Sequence, residues 1–187
     1  MKWKLISVLL VCSVFVAGCS GTTKLDPGLQ LRARLLSATG YSFSTQVNAD
    51  FGENVYSFEM DCQVDSQGAV AFCVTAPESI SGITGNLNGQ GGELTFDGTA
   101  LAFDLLADGR FSPVSAPWLL VHTLHEGFIT SCADLLTGVM LTIDESFRDD
   151  ALTLHIYLGA DTLPSGAEVF CDGQRVLSMT VNNFVFL

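Results

Sequence analysis

The chain has 187 residues, with 8 Lys and Arg against 20 Asp and Glu, and is 48% hydrophobic but only 15% charged. That is the length of one ordinary domain, with enough apolar sequence to bury a substantial core. All twenty acids lie after residue 19 and two of the eight basic residues before it, so the chain from Cys19 onward carries six basic and twenty acidic residues, a formal charge of −14. Such a surface repels nucleic acid and anionic head groups, which excludes a nucleic-acid binder. The apolar, Phe-rich composition excludes disorder. Past the N-terminal segment, no stretch offers the roughly 20 uncharged residues of a membrane span.

The first nineteen residues, MKWKLISVLLVCSVFVAGC, have a short basic end, an apolar stretch from Leu5 to Val16, and a terminal Ala17-Gly18-Cys19. An apolar run this short suits a secretory signal better than a span. Val16-Ala17-Gly18-Cys19 resembles the bacterial lipobox, in which a small-residue pair precedes the cysteine that is diacylated and becomes the new N-terminus. The expected organisation is a lipoprotein signal peptide over 1–18, a lipidated tether over 19–26 and a single domain over 27–187. Acyl chains such as palmitate on Cys19 would hold that domain in the cell envelope, on the extracytoplasmic side of a bacterial membrane. Two or more chains give stable attachment where one is marginal.

Ser20-Gly21-Thr22-Thr23 is linker-like, and Asp26-Pro27 opens a short helix over 28–36 that stops by Gly40. Leu29, Leu31, Leu35 and Leu36 give it a partial apolar face. Lys24, Arg32 and Arg34 are expected on its solvated side, or touching lipid head groups.

From Tyr41 onward, short alternating segments are punctuated by Gly and Asp, the pattern of a meandering antiparallel sheet. Tyr56, Phe58, Met60, Cys62 and Val64 alternate with Ser57, Glu59, Asp61, Gln63 and Asp65, which predicts a half-buried strand. Asp97-Gly98 and Asp172-Gly173 sit between strand-like runs, the strongest short hairpin signal. Folding about the first sets Phe96 opposite Thr99 and Leu94 opposite Leu101, so Leu94, Phe96, Leu101 and Phe103 share a face. Further strands are expected over 41–50, 53–64, 69–76, 82–87, 127–131, 138–144, 151–158, 167–172 and 175–186, about eleven in all.

One segment breaks the alternation. Pro117 opens a run containing Trp118, Leu119, Val121, His122, Leu124 and His125 before Gly127, which predicts a helix over 117–126. A strongly apolar helix set between strands must cover one face of their sheet.

Cys62, Cys73, Cys132 and Cys171 remain once Cys12 and Cys19 are set aside, an even number in an exported domain. The Ser66-Gln67-Gly68 loop favours Val64 opposite Val70 and Cys62 opposite Phe72, with Cys73 on the other face; a shift by one would permit a Cys62–Cys73 bridge but turn Val70, Phe72 and Val74 outward. Disulfide pairing among the four stays open, as do free thiols.

No pattern supports catalysis, a cofactor or a metal. His122-Thr123-Leu124-His125-Glu126 is not His-Glu-x-x-His and reads as a helix end reaching solvent. The acids around Ser146-Phe147-Arg148 read as a solvated turn rather than a calcium loop. Gly89-Gln90-Gly91-Gly92 lacks the Lys-Ser/Thr of a phosphate loop, no Gly-x-Ser-x-Gly is present, and His155 has no evident catalytic partner.

Pro77-Glu78-Ser79-Ile80-Ser81-Gly82-Ile83, the 94–105 hairpin with Asp97-Gly98, and Pro164-Ser165-Gly166-Ala167-Glu168-Val169 leading to Val181-Asn182-Asn183-Phe184 carry a resemblance. Together with the lipobox and the mid-chain helix, this layout resembles the Lol carrier and receptor group (LolA/LolB-like) and its LppX/LprG-like lipoprotein relatives. The resemblance implies an α+β fold: a strongly curved antiparallel sheet forming an incomplete barrel, with a short N-terminal helix and a mid-chain helix over the concave face. It also implies a lipid ligand in that concavity, or, in relatives with a reduced cavity, a protein partner. Phe58, Phe72, Phe96, Phe103, Trp118 and Leu119 are the expected lining. The expected function is therefore a non-enzymatic, membrane-anchored lipoprotein binding or carrying a hydrophobic molecule. The competing expectation is an envelope scaffold of the same fold with a filled core and no ligand.

Overall fold

The computed structural model describes residues 26–50, 52, 55–103, 106–107, 110–148 and 151–187, with backbone alone for residue 26 and for those between 103 and 111. The signal peptide, Cys19 and the tether lie outside the described residues.

Alternation sets the architecture. Along β2 (Val55–Asp65), Phe58, Met60, Cys62 and Val64 are buried while Glu59, Asp61, Gln63 and Asp65 are exposed. The same period runs through β1 (Gly40–Asp50) and β3 (Val70–Ala76), because successive side chains of a strand point to opposite faces. β4 (Thr84–Asn88), β5 (Gly91–Phe96) and β6 (Thr99–Phe103) continue this first meander. A second runs through β9 (Phe128–Leu135), β10 (Gly138–Asp144), β11 (Thr153–Leu158), β12 (Pro164–Cys171) and β13 (Gln174–Phe186). Antiparallel pairing of β1 with β13, Tyr41 opposite Phe186 through Ala49 opposite Leu177, joins the two. The result is one curved, open sheet in the order β6-β5-β4-β3-β2-β1-β13-β12-β11-β10-β9. These are the eleven strands expected. A separate two-stranded hairpin, β7 (Leu106–Ala107) with β8 (Arg110–Phe111), was not among them.

Turn chemistry fixes the registers. Asp97 and Gly98 (φ 47° and 76°) and Asp172 and Gly173 (φ 50° and 74°) adopt the left-handed conformations of a type I′ hairpin. Asp65 accepts from the amides of Gln67 and Ala69, with Gly68 at φ 78°. That loop sets Val64 opposite Val70, Cys62 opposite Phe72 and Cys73 opposite Asp61. Cys62 and Cys73 therefore point to opposite faces, and all four described cysteines are free.

Between β6 and β9 the chain winds into a helix. The helices are α1 (Asp26–Ser37) and α2 (Ala116–Glu126). Both lie on the concave face, where Leu31, Leu35, Leu119, Leu120, Val121 and Leu124 join the inward residues of β1–β4 and β10–β13 in one core. Every described residue of that core lies between Leu31 and Phe186. Among the described residues no helix is long and apolar enough to cross a membrane.

Ile156, fully buried in β11, tests the packing. Ile156→Ala is expected to cost about 3 kcal/mol, read as a lowered urea midpoint with an unchanged slope. A loss below about 1 kcal/mol would show a core loose enough to collapse.

A half-covered concave face as the candidate site

α2 begins with Pro117 in its first turn and stops at Gly127, whose amide donates to the Thr123 carbonyl at 2.9 Å. A Cβ at Gly127 would lie 2.7 Å from the Ile143 side chain and 2.7 Å from that carbonyl, so only glycine allows this approach. The last carbonyls of a helix have no partner within it. Here Arg32 of α1 supplies one: its Nε donates to Leu124 O at 2.7 Å, and its Nη2 to Gly127 O at 2.7 Å and Thr123 O at 3.3 Å. A cation at a helix C-terminus also meets the negative end of the dipole. The expectation of a solvated face for Arg32 is thus corrected. It fails because the partner carbonyls lie more than ninety residues away. Burial lowers the Arg32 pKa. Arg34 is exposed and sits over the Phe186 ring at 4.8 Å.

The final turn of α2 is tied a second time. His125 Nε2 lies 3.0 Å from the Tyr41 hydroxyl, and Tyr41, buried in β1, stacks on Phe184 with centroids 5.1 Å apart. Burial raises the Tyr41 pKa, with Asp65 adding to the effect. Burial lowers that of His125; Glu126 opposes this, while Arg32 and His122 reinforce it. His125, expected to reach solvent, is thus half-buried against Tyr41. His122 is half-buried too, stacked on Trp118 at 4.7 Å and within 3.9 Å of Glu126 and 3.8 Å of Glu145.

Beyond the helices the same inner face continues uncovered. Strand registers align Phe43, Cys62, Phe72, Gly85, Leu94 and Leu101 in one row across β1 to β6. Phe43, Cys62 and Phe72 are buried, Leu94 is half-buried, and Leu101 is 63% exposed. Phe96, two residues along from Leu94 and therefore on the same face, is 52% exposed. At Gly85 a Cβ would come within 2.6 Å of the Phe72 ring, so Phe72 lies over the glycine and closes the row where covered and uncovered parts meet. Strands β5 and β6 thus form a wing that shows the apolar side of the sheet to water.

The expected lining residues divide accordingly. Phe58, Phe72 and Leu119 are buried in the core under or beside the helices, and Trp118 is half-buried at their margin. Phe96 stands on the open wing. Phe103 lies in β6 opposite Gly92, and its side chain is outside the described residues. The five whose side chains are described do not line one cavity. An open cleft of about 500 Å³ lies instead between the β11–β12 turn and β13, bordered by Asp161, Leu163, Pro164, Asn182, Asn183 and Phe184. A second, of about 250 Å³, runs by Gly40, Asp65, Ala71 and Leu187. Neither lies between the helices and the sheet. Sequence reasoning missed Leu94 and Leu101 as site residues, although their pairing was the cue.

On the convex face His155 tilts against Phe170, centroids 4.6 Å apart. Glu168 opposite it receives hydrogen bonds from Tyr157 and Arg175. Burial raises the Glu168 pKa, but those bonds outweigh it and leave the pKa lowered. Among the described residues no group of three His, Cys, Asp or Glu could hold a metal ion. Asp144 and Glu145 lead into the loop over 145–152, where the Glu145 amide donates to Leu152 O; Asp149 and Asp150 lie outside the described residues.

No protein-family model matches the sequence, and no curated protein matches it either. Among solved structures the chain is similar to an uncharacterized conserved protein from Thermus thermophilus (12% identity, 88% of each chain covered, TM-score 0.50). It is also similar to a LolA superfamily protein from Nitrosomonas europaea (6% identity, 91% of this chain and 94% of that one, TM-score 0.50). The lipoprotein LppX of Mycobacterium tuberculosis matches at 11% identity over 88% of this chain and 96% of that one, with a TM-score of 0.43. The fold is LolA-like. Identities this low speak to fold alone.

Two outcomes follow from the ties on α2. Arg32→Met keeps the stem but removes the guanidinium from the Leu124 and Gly127 carbonyls, while Thr123 O keeps the Gly127 amide, and is expected to cost about 2 kcal/mol in urea unfolding; an unchanged midpoint would mean water replaces the guanidinium freely. His125 is held below its ordinary pKa of 6.5. Its contribution is therefore complete above about pH 6.5 and is lost as pH falls through the lowered folded value. His125→Gln should flatten the midpoint between pH 7 and 5 relative to the parent chain. Parallel pH curves would contradict the burial of a neutral ring.

Proposed function

We propose that the chain is an acyl-anchored, non-enzymatic lipoprotein of the bacterial envelope that holds an acyl chain or similar hydrophobic molecule on the open wing of its half-barrel. The observation that carries this is the exposure of Phe96 and Leu101 on the face that is otherwise core. Each methylene buried there contributes about 0.8 kcal/mol, so six on Leu94, Phe96 and Leu101 contribute about 5 kcal/mol before the cost of ordering the chain. Attachment through diacylated Cys19 rests on the Ala17-Gly18-Cys19 run after an apolar segment, and exported location rests on the same run. The ligand belongs on the wing rather than under α2, because Leu119, Leu120, Val121 and Leu124 are 3% exposed or less.

That same packing favours a second reading, an envelope scaffold with a filled core that acts through a protein partner. Binding separates the two. Residues 24–187 purified from cells should yield a lipid in an organic extract by mass spectrometry, and should take up an uncharged fluorescent alkyl probe that Leu94→Asp or Leu101→Asp displaces. A lipid-free extract with no uptake would leave the scaffold reading. For the anchor, Cys19→Ser is expected to move the protein from the detergent phase to the aqueous phase of a Triton X-114 partition; no shift would contradict acylation.

A further inference from the structure

The wing also has an electrostatic character. From Leu35 to Gly109, 75 consecutive residues contain no Lys, Arg or His and ten Asp or Glu. This stretch supplies β1 to β6, and so every strand of the wing. Of these acids, Glu78 precedes β4, Glu93 stands exposed on the opposite face of β5 from Leu94, and Asp97 forms the β5–β6 turn at the edge of the patch. Described basic side chains elsewhere are engaged: Arg32 on the carbonyls of α2, Arg34 over Phe186, and Arg175 on Glu168. The apolar patch is therefore set in a field of one sign. An anionic head brought to it meets repulsion, and a cationic head meets attraction.

Resting on the reading that the wing binds a hydrophobic chain, we propose that its occupant is an amphiphile with a cationic head group. The alkyl chain lies along Leu94 and Leu101. The head sits at the β5–β6 turn, where the half-exposed Phe96 ring offers its face to a cation and the adjoining Asp97 carries the nearest carboxylate in sequence. Phe96 thereby serves both the chain and the head. A free fatty acid or other anionic lipid is the poorest match.

The test uses residues 24–187 and three twelve-carbon probes below their micelle concentrations: dodecyltrimethylammonium, dodecyl maltoside and dodecyl sulfate, titrated calorimetrically in 20 mM and 500 mM NaCl. The trimethylammonium probe should bind about tenfold more tightly than the maltoside at low salt, with the sulfate weakest, and the spread should narrow at high salt as screening shortens the field. Leu101→Gln should weaken the ammonium and maltoside probes alike. Asp97→Asn, which keeps a residue suited to the left-handed turn position, should cut the preference for the cation about threefold and leave the maltoside unchanged. Sulfate binding as tight as the cation's overturns the proposal, most directly if Arg110→Gln abolishes it. So does cation binding that Leu101→Gln leaves intact, which is adsorption to acidic surface, or capture of a cationic amphipathic peptide with no single-chain probe bound. Equal binding of all three heads removes the head-group preference and leaves the hydrophobic site standing. Binding of none removes both.

Discussion

An open sheet of eleven strands has more apolar inner surface than two short helices can cover. At about 4.8 Å between strands, its arc is about 48 Å wide. At 1.5 Å per residue, α1 and α2 are about 18 and 16 Å long and about 10 Å across, so even end to end they span less than the arc. Their Leu and Val side chains seal β10 to β13 and the adjoining β1 to β3, and the sealed part is packed to near-zero exposure. What they leave over is β5 and β6 at one edge and β9 at the other. The division of one continuous face into core and open wing, rather than any pocket, is what gives this fold somewhere to put a ligand.

The covered half depends on long-range ties. Helices of eleven and twelve residues are marginal on their own, and α2 has no side-chain hydrogen bond at its N-cap. Its C-terminal end is held by a guanidinium from the other helix, and its final turn by a tyrosine from the central strand. Because β1 also carries the seam between the two meanders, the helical cover and the sheet closure meet at Tyr41 and its aromatic neighbours Phe184 and Phe186. A lid fixed at so many points favours a filled interior beneath it.

Local rules made most of the fold legible in the sequence. The period of two in β2, the Asp-Gly turns and the Ser66-Gln67-Gly68 loop specify registers that the structure reproduces, including the one that parts Cys62 from Cys73. The same rules could not show which inward residues are covered. Phe58 and Phe96 have the same alternation, and they differ in that Phe58 is packed into the core and Phe96 is not. Arg32 is illegible for a related reason: its spacing on α1 suits a solvated face, and the carbonyls it satisfies are distant in sequence. The short β7–β8 hairpin, two residues a side, falls below the length at which alternation can be recognised.

The central claim is that ligand contact belongs to the wing and not to the space beneath the helices. Methyl-resolved NMR of residues 24–187 during titration with an uncharged alkyl probe addresses it directly. Shifts concentrated at Leu94 and Leu101, with Leu119, Leu120, Leu124 and Ile156 undisturbed, are what the account predicts. Shifts centred on Leu119, Leu120 and Leu124 would show the helices lifting to admit the chain, and would contradict it.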